Sequence, residues 1–237
     1  MRARLFVALS SLAACGGLGG STDVEPTLRF SDRTDIEISR LVNAASGSEG
    51  FQAQAQVHQF DDPFEPEACP NLVEDVTRVT ITGGCTRVDG TQIEGAATIN
   101  NPVGWGELDY DYGSDSVYTF EQLAFVRTGG DQVYDGTFRI GPSYQLLDMD
   151  LTTESFGVIV RSDIHMECDG TTCEIGNSGI ELVDAGGALV SGSIAVSGST
   201  ATGHITMRGA DTVTVTIAQG CVAWRLEGTD REFSPCN

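Results

Sequence analysis

The sequence predicts an all-β protein: an antiparallel meander forming a barrel, half-barrel or sandwich, with one short N-terminal amphipathic helix. Three observations predict it. Runs with a two-residue hydrophobic period fill most of the chain, and that period aims alternate side chains at opposite faces of a sheet. Asp-Gly and Gly-Gly pairs punctuate the runs, as tight antiparallel turns do. Only one segment carries a helical period, so the crossover helices that parallel strands need are missing from the pattern.

The helix comes first. Thr34-Asp35-Ile36-Glu37 fits the S/T-x-x-E capping box, in which hydroxyl and carboxylate each satisfy the other's backbone N–H. Ile38, Leu41, Val42 and Ala45 follow at helical spacing, and Gly47 is placed to end the run. The spacing predicts a helix over about 35–46 whose single apolar stripe packs on the sheet.

The strands follow. Ile93, Ala97 and Ile99 oppose Gln92, Glu94 and Thr98. Leu108, Tyr110 and Tyr112 oppose Glu107, Asp109 and Asp111. Tyr134, Phe138 and Ile140 oppose Asp135, Thr137 and Arg139. Leu147, Met149 and Leu151 oppose Asp148, Asp150 and Thr152. Phe156, Val158, Val160, Ile164 and Met166 oppose Arg161, Asp163 and His165. Val213, Val215 and Ile217 oppose Thr212, Thr214 and Thr216. Such one-sided alternation leaves one face of an antiparallel sheet wet. Turns are expected at Asp89-Gly90, Asp169-Gly170, Gly83-Gly84, Gly129-Gly130 and Gly186-Gly187. Asp135-Gly136 lies inside an alternating run and reads as a bulge or bend. Ser191–Gly203 is rich in small residues, but Ile194 and Val196 keep the alternation, so it reads as a thin strand pair. Asp61–Pro70, with three prolines, is the longest expected loop. The count is roughly a dozen strands.

The N-terminus reads as an address. Arg2 and Arg4 precede the apolar run Leu5–Ala14, the layout of a secretory signal. Leu12-Ala13-Ala14-Cys15 resembles the lipobox of bacterial lipoproteins. That resemblance, confined to the first fifteen residues, implies cleavage before Cys15, a diacylglycerol on its thiol and acylation of the new amine. Two or three acyl chains anchor stably where one is marginal. Gly16, in place of Asp, resembles the sorting signal for the outer membrane of Gram-negative cells, facing the periplasm or the surface. Gly16–Pro26 then reads as a flexible tether reaching about 18 Å. The expected organisation is a signal peptide over 1–14, a lipidated Cys and tether over 15–27, and one β-rich domain over 28–237.

Past Cys15 the chain holds Cys69, Cys85, Cys168, Cys173, Cys221 and Cys236. An even number in an exported protein reads as disulfides. Neighbour pairing is expected, because Cys168 and Cys173 flank an Asp-Gly turn and the other two pairs close short loops. The zinc alternative, with His165 three residues before Cys168, lacks a paired C-x-x-C and a fourth ligand.

Composition narrows the partners. The 237 residues carry 34 acidic and 13 basic side chains, all of the latter arginine, for a net charge of −21. A field this negative repels phosphate backbones, so nucleic acid is excluded as a partner. No apolar run is long enough for a membrane-spanning helix, so the membrane is reached through the lipid anchor alone.

Catalytic motifs are absent. Gly176-Asn177-Ser178-Gly179 has the G-x-S-G order of a serine-protease nucleophile, but Ile180-Glu181 replace the Gly-Pro that follows there. It reads as a polar turn before the strand at Ile180. His58, His165 and His204 sit in strand patterns and read as solvated or cross-strand residues. Asp109, Asp111 and Asp115 are the calcium candidates, since hard cations take carboxylate oxygens, although the EF-hand order and its terminal Glu are missing. Asp61, Asp62, Glu65 and Glu67 crowd the proline-rich loop. The competing reading for both groups is a solvated acidic face. No catalytic residue and no cofactor are assigned. The expected function is an envelope lipoprotein that binds or scaffolds, its partner a protein, glycan or hydrophobic ligand. The alternative is a carrier with a hydrophobic cavity, resembling half-barrel or lipocalin-like lipoprotein carriers in general shape. A secreted hydrolase has no motif in its favour.

Overall fold

The computed structural model describes residues 24–46, 56–57, 69–75, 77–100, 115–128, 130–141, 143–155, 157–197, 200–218 and 221–234. A 3-10 turn over Phe30–Asp32 leads into helix α1, Asp35–Ala45. The capping box forms as expected. Glu37 N–H donates to Thr34 Oγ1 at 3.2 Å, and the Glu37 carboxylate accepts from Thr34 N–H at 2.7 Å. Ile38, Leu41, Val42, Ala44 and Ala45 make the buried stripe. The helix ends at Ala45 with Ser46 as its C-cap; Gly47 lies outside the described residues.

Among the described residues fourteen strands follow: β1 Asn71–Asp75, β2 Arg78–Thr82, β3 Cys85–Thr86, β4 Gln92–Asn100, β5 Ser116–Val126, β6 Gln132–Gly141, β7 Tyr144–Ser155, β8 Val158–Cys168, β9 Thr172–Leu182, β10 Gly186–Ser197, β11 Thr200–Arg208, β12 Thr212–Ala218, β13 Cys221–Leu226 and β14 Glu232–Phe233. All belong to one antiparallel sheet, ordered as in the sequence except that β2 and β3 both pair with β4. β1 and β14 end the sheet and do not pair with each other among the described residues. Among the described residues the meander is therefore open. Its buried side chains form one continuous cluster with the stripe of α1.

Two bulged zones break the regular ladder. β5 carries one extra residue against both neighbours at Glu121-Gln122, and Gln122 takes a φ of 51°. Gly95 of β4 packs beside it with a φ of 74°, where a Cβ would stand 2.0 Å from the Gln122 carbonyl oxygen. Only glycine fits both the left-handed backbone and that approach. The second zone lies in β9, which carries one extra residue around Gly176–Ser178 against both β8 and β10. Bulges increase local twist and bend the strand.

Several turn expectations are corrected by these registers. Gly83-Gly84 is no hairpin turn: β2 and β3 continue along β4 in one register, with Gly83 N–H donating to Gly95 O at 2.8 Å. The hairpin into β4 is at Asp89-Gly90, as expected. Gly186-Gly187 opens β10, the turn before it being Val183–Ala185. Gly176–Gly179 is the β9 bulge rather than a turn before Ile180. The run that includes Phe156 begins as a strand at Val158, and Phe156 lies outside the described residues. So do Leu108, Tyr110 and Tyr112. Asp135-Gly136 stays within β6, opposite the β5 bulge. Ser191–Gly203 is a strand pair, as read.

The segment before α1 is seated on the sheet. Leu28 N–H donates to Gly187 O at 2.7 Å, Ala210 N–H donates to Leu28 O at 2.8 Å, and Leu28 and Phe30 are fully buried. Asp211 accepts from the N–H groups of Phe30 at 2.6 Å and Ser31 at 2.9 Å. The last residues of the expected tether, from Val24, therefore lie against β10, with the Val24 side chain close to Gly187.

Cys69–Cys85 and Cys168–Cys173 are disulfides, the neighbour pairs expected. Cys221 is also disulfide-bonded, and its expected partner Cys236 lies outside the described residues. Disulfides belong to an oxidising, exported compartment. No helix among the described residues is long and apolar enough to cross a membrane.

Candidate functional site

One cleft of about 500 Å³ opens where the second half of α1 meets the ends of two hairpins. α1 contributes Arg40 and Asn43. The β5–β6 connection contributes Arg127, Gly130 and Gln132. The β7–β8 hairpin contributes Thr153, Glu154, Ser155, Val158 and Val160. The capping box and buried stripe fix the turn of α1 that carries Arg40, and its guanidinium donates to the Ser155 carbonyl. The β5–β6 connection is clamped by Gly130 N–H to Arg127 O at 3.1 Å and by Glu154 N–H to Asp131 O at 2.8 Å. Arg127 N–H donates to the Asp131 carboxylate at 3.2 Å, and the Arg127 guanidinium lies 5.5 Å from the centre of the Phe125 ring. Gln56 and Gln132 join their side-chain amides at 3.1 Å beside the cleft.

A second polar region lies on the outer face of β6–β8. Register places Asp135 opposite Asp150, and Asp150 opposite Asp163. Asp148 stands opposite His165. Like charges directly opposite are unfavourable. Burial, followed by the nearby charges of Asp135 and Asp148, raises the Asp150 carboxyl above the ordinary aspartate range. Gln122, displaced by the β5 bulge, donates its amide to Asp135 at 2.5 Å. His165 is a cross-strand residue, but it is buried rather than solvated. Its Nδ1 lies 4.0 Å from Asp148 Oδ1 with no hydrogen bond.

Ser178, the serine of the G-x-S-G order, is buried and engaged with backbone. Its hydroxyl accepts from His165 N–H at 2.9 Å and donates to His165 O at 3.1 Å. His204 pairs across strands with Thr216, ring to hydroxyl at 3.4 Å. His58, Asp61, Asp62, Glu65, Glu67, Cys15, Asp109 and Asp111 lie outside the described residues. Asp115 is 3.8 Å from the Arg139 guanidinium, and its hydrogen bond with Tyr144 raises the phenol of that tyrosine. Among the described residues no group of three His, Cys, Asp or Glu is placed to hold a metal. Cys168 and Cys173 are joined to each other, which removes them as zinc ligands.

Sequence reasoning missed Arg40 and Arg127. The helix pattern marks Arg40 only as polar, and Arg127 only as the residue ending a strand; nothing local shows that the two elements meet. Compared with family models, with curated proteins and with solved structures, the chain matches none.

Proposed function

We propose that the protein is an exported, lipid-anchored envelope protein of the outer membrane whose β-rich domain works by binding rather than by catalysis. The observation that carries the binding reading is the cleft at α1. It combines two guanidinium groups, neutral amides and hydroxyls, and the apolar Val158 and Val160, the mixture of an apolar lining with a few directional polar groups that small-molecule sites use. Its volume of about 500 Å³ falls within the range of such sites. The disulfides support export, and the likeness of Leu12–Cys15 to a lipobox supports the anchor. With a net charge of −21, a basic patch for anionic headgroups is lacking, so the acyl chains alone hold the protein at the bilayer.

Mass spectrometry of the native mature protein tests this reading. The expected species begins at Cys15, carries a diacylglycerol and an amine-linked acyl chain, and has its six other cysteines paired. An exported protein that retains residues 1–14, or one whose Cys15 is unmodified, overturns the anchored placement.

A further inference from the structure

We infer that one end of the sheet, the end crossed by α1, rests on the bilayer that holds the lipid anchor, with Ile36, Val88 and Phe233 at the interface. The inference rests on the anchored reading above and names the surface that meets the membrane.

Register defines the two ends. The β3–β4, β5–β6, β7–β8, β9–β10, β11–β12 and β13–β14 connections all turn at one of them. The segment before α1 is bonded to that end at Gly187 and Ala210, and Asp211 holds Phe30 and Ser31 there. α1 lies across it. Arg231 of the β13–β14 turn meets Asp35 at 2.7 Å, Trp224 Nε1–H donates to Ser39 Oγ at 3.1 Å, and Arg40 donates to the Ser155 carbonyl where β7 ends. Nine residue steps separate Cys15 from Val24, the first described residue. A flexible chain of that length spans about 17 Å on average. β10 runs on for ten residues past Gly187, about 33 Å. An anchor at Cys15 therefore holds the α1 end near the bilayer and leaves the opposite end away from it.

The exposed apolar side chains gather at the same end. Among the described residues four large hydrophobic side chains are exposed: Ile36, Val73, Val88 and Phe233. Ile36 stands on α1 outside its buried stripe. Val88 is 93% exposed in the β3–β4 turn. Phe233 follows the β13–β14 turn and stacks on Trp224 with ring centres 6.2 Å apart. Val73, in the middle of β1, is the exception. Apolar side chains brought to the boundary between headgroups and acyl chains leave water and stabilise the contact. Acids at this end are already engaged. Asp89, Asp131 and Asp211 accept backbone N–H groups, and Asp35 and Glu37 face Arg231 and Arg33. Laying the sheet on its side would instead press the Asp135–Asp150–Asp163 row against the lipid, where desolvating carboxylates is costly.

Site-directed fluorescence quenching tests the inference. The chain has no lysine, so one introduced lysine takes an amine-reactive dye alone once the N-terminal amine is acylated. Three variants of the mature, acylated protein are labelled: Asp230→Lys in the β13–β14 turn, Thr171→Lys in the β8–β9 turn at the opposite end, and Thr216→Lys on the outer face of β12. All three positions are exposed. Each variant is reconstituted into phosphatidylcholine vesicles with a nitroxide quencher on part of the headgroups. The dye at position 230 is expected to lose most of its emission, and the dyes at positions 171 and 216 to keep theirs. Adding Ile36→Ser and Val88→Ser to Asp230→Lys is expected to restore part of that emission. Thermal unfolding should not change, because both side chains are exposed. Quenching that is strongest at position 171 or 216, or the same at all three, overturns the orientation. Quenching at position 230 that the double substitution leaves untouched overturns the apolar contact. Mass spectrometry of the same samples separates the two readings. With Cys15 acylated, a failed quenching pattern removes the orientation and leaves the anchor. An unmodified Cys15 removes the anchor, and the orientation falls with it.

Discussion

The carboxylates of the turns and those of the β6–β8 outer face are the same side chain in opposite circumstances. At the rim of the sheet, Asp75, Asp89 and Asp169 each accept backbone N–H bonds within their own turns, and those bonds hold their carboxyls below the ordinary range. Asp211 belongs with them. Burial pushes its carboxyl up, but the N–H groups of Ser31 and Phe30 more than offset this, and the net direction is down. On the β6–β8 face, Asp150 stands in register between Asp135 and Asp163, and burial followed by the nearby charges of Asp135 and Asp148 drives its carboxyl up. An acidic residue stabilises this fold where turn N–H groups reach it and is pushed towards its neutral form where burial and other acids surround it.

The most forceful way to break the comparison is to remove what fixes the rungs. Met149 lies between Asp148 and Asp150 in β7, points to the opposite face and is almost fully buried. Met149→Ala is expected to cost about 3 kcal/mol from lost burial and the cavity left behind, read as a shifted urea midpoint with unchanged slope. A cost below about 1 kcal/mol would show that the face under the acidic row is loosely packed.

Next in size is the rim. Asp211→Asn keeps the shape but gives up the charge that two N–H groups share, with an expected loss of about 1.5 kcal/mol. Its pH dependence follows from the lowered pKa. The unfolded chain binds this proton first as pH falls, so the stabilisation is complete above the unfolded value near 3.8 and is lost as pH drops through the lower folded one. Thermal unfolding of parent and variant should therefore differ at pH 7 and converge at strongly acid pH. Equal stability at neutral pH would show that the Asp211 charge contributes nothing to seating the strand before α1.

The two regions were unequally legible in the sequence. The period-two runs assign Asp135, Asp148, Asp150 and Asp163 to the wet face without help, because alternation is a local property. That Asp135, Asp150 and Asp163 share one rung is a matter of register, which depends on where each hairpin turns and where bulges fall. The Gly176-Asn177-Ser178-Gly179 segment shows the difficulty: its polar, glycine-rich composition suits a turn and a bulge equally, and only pairing with β8 and β10 on both sides decides. Gly83-Gly84 misleads for the same reason. The helix was legible from its N-cap and its buried stripe, since the capping box and the stripe are both local. The cleft was not, because Arg40 and Arg127 come together through tertiary packing that no short window records.

Asp150→Asn sharpens the other half of the comparison, with a smaller effect of opposite sign. Removing one of three facing charges is expected to stabilise the protein by about 0.5 kcal/mol at pH 7. The raised pKa sets the window. Between the unfolded value near 3.8 and the higher folded value the native state holds the extra proton, so the penalty is present above the folded pKa and fades as pH falls through it towards the unfolded one. The gain from Asp150→Asn should vanish over that interval, where the Asp211 contribution is only beginning to fail. In a double-mutant cycle with Asp135→Asn, the second substitution should add less than it does alone, since the shared repulsion is already gone. Strict additivity would mean the two carboxylates do not feel each other.

The smallest effect tests whether pairing alone improves an acid on the open sheet. Arg161 and Glu181 stand opposite each other on β8 and β9, with a nitrogen–oxygen distance of 3.7 Å and both side chains well exposed. Glu181 thus faces a cation across the ladder, where Asp150 faces two acids. An exposed pair gains little because water screens the attraction and two side chains must be held still. Arg161→Ala is expected to change stability by no more than about 0.5 kcal/mol, and less in high salt. A loss above about 1 kcal/mol that disappears with added salt would assign real weight to charge pairing on this face. The cost of the acidic row would then depend on charge pairing as well as on charge repulsion.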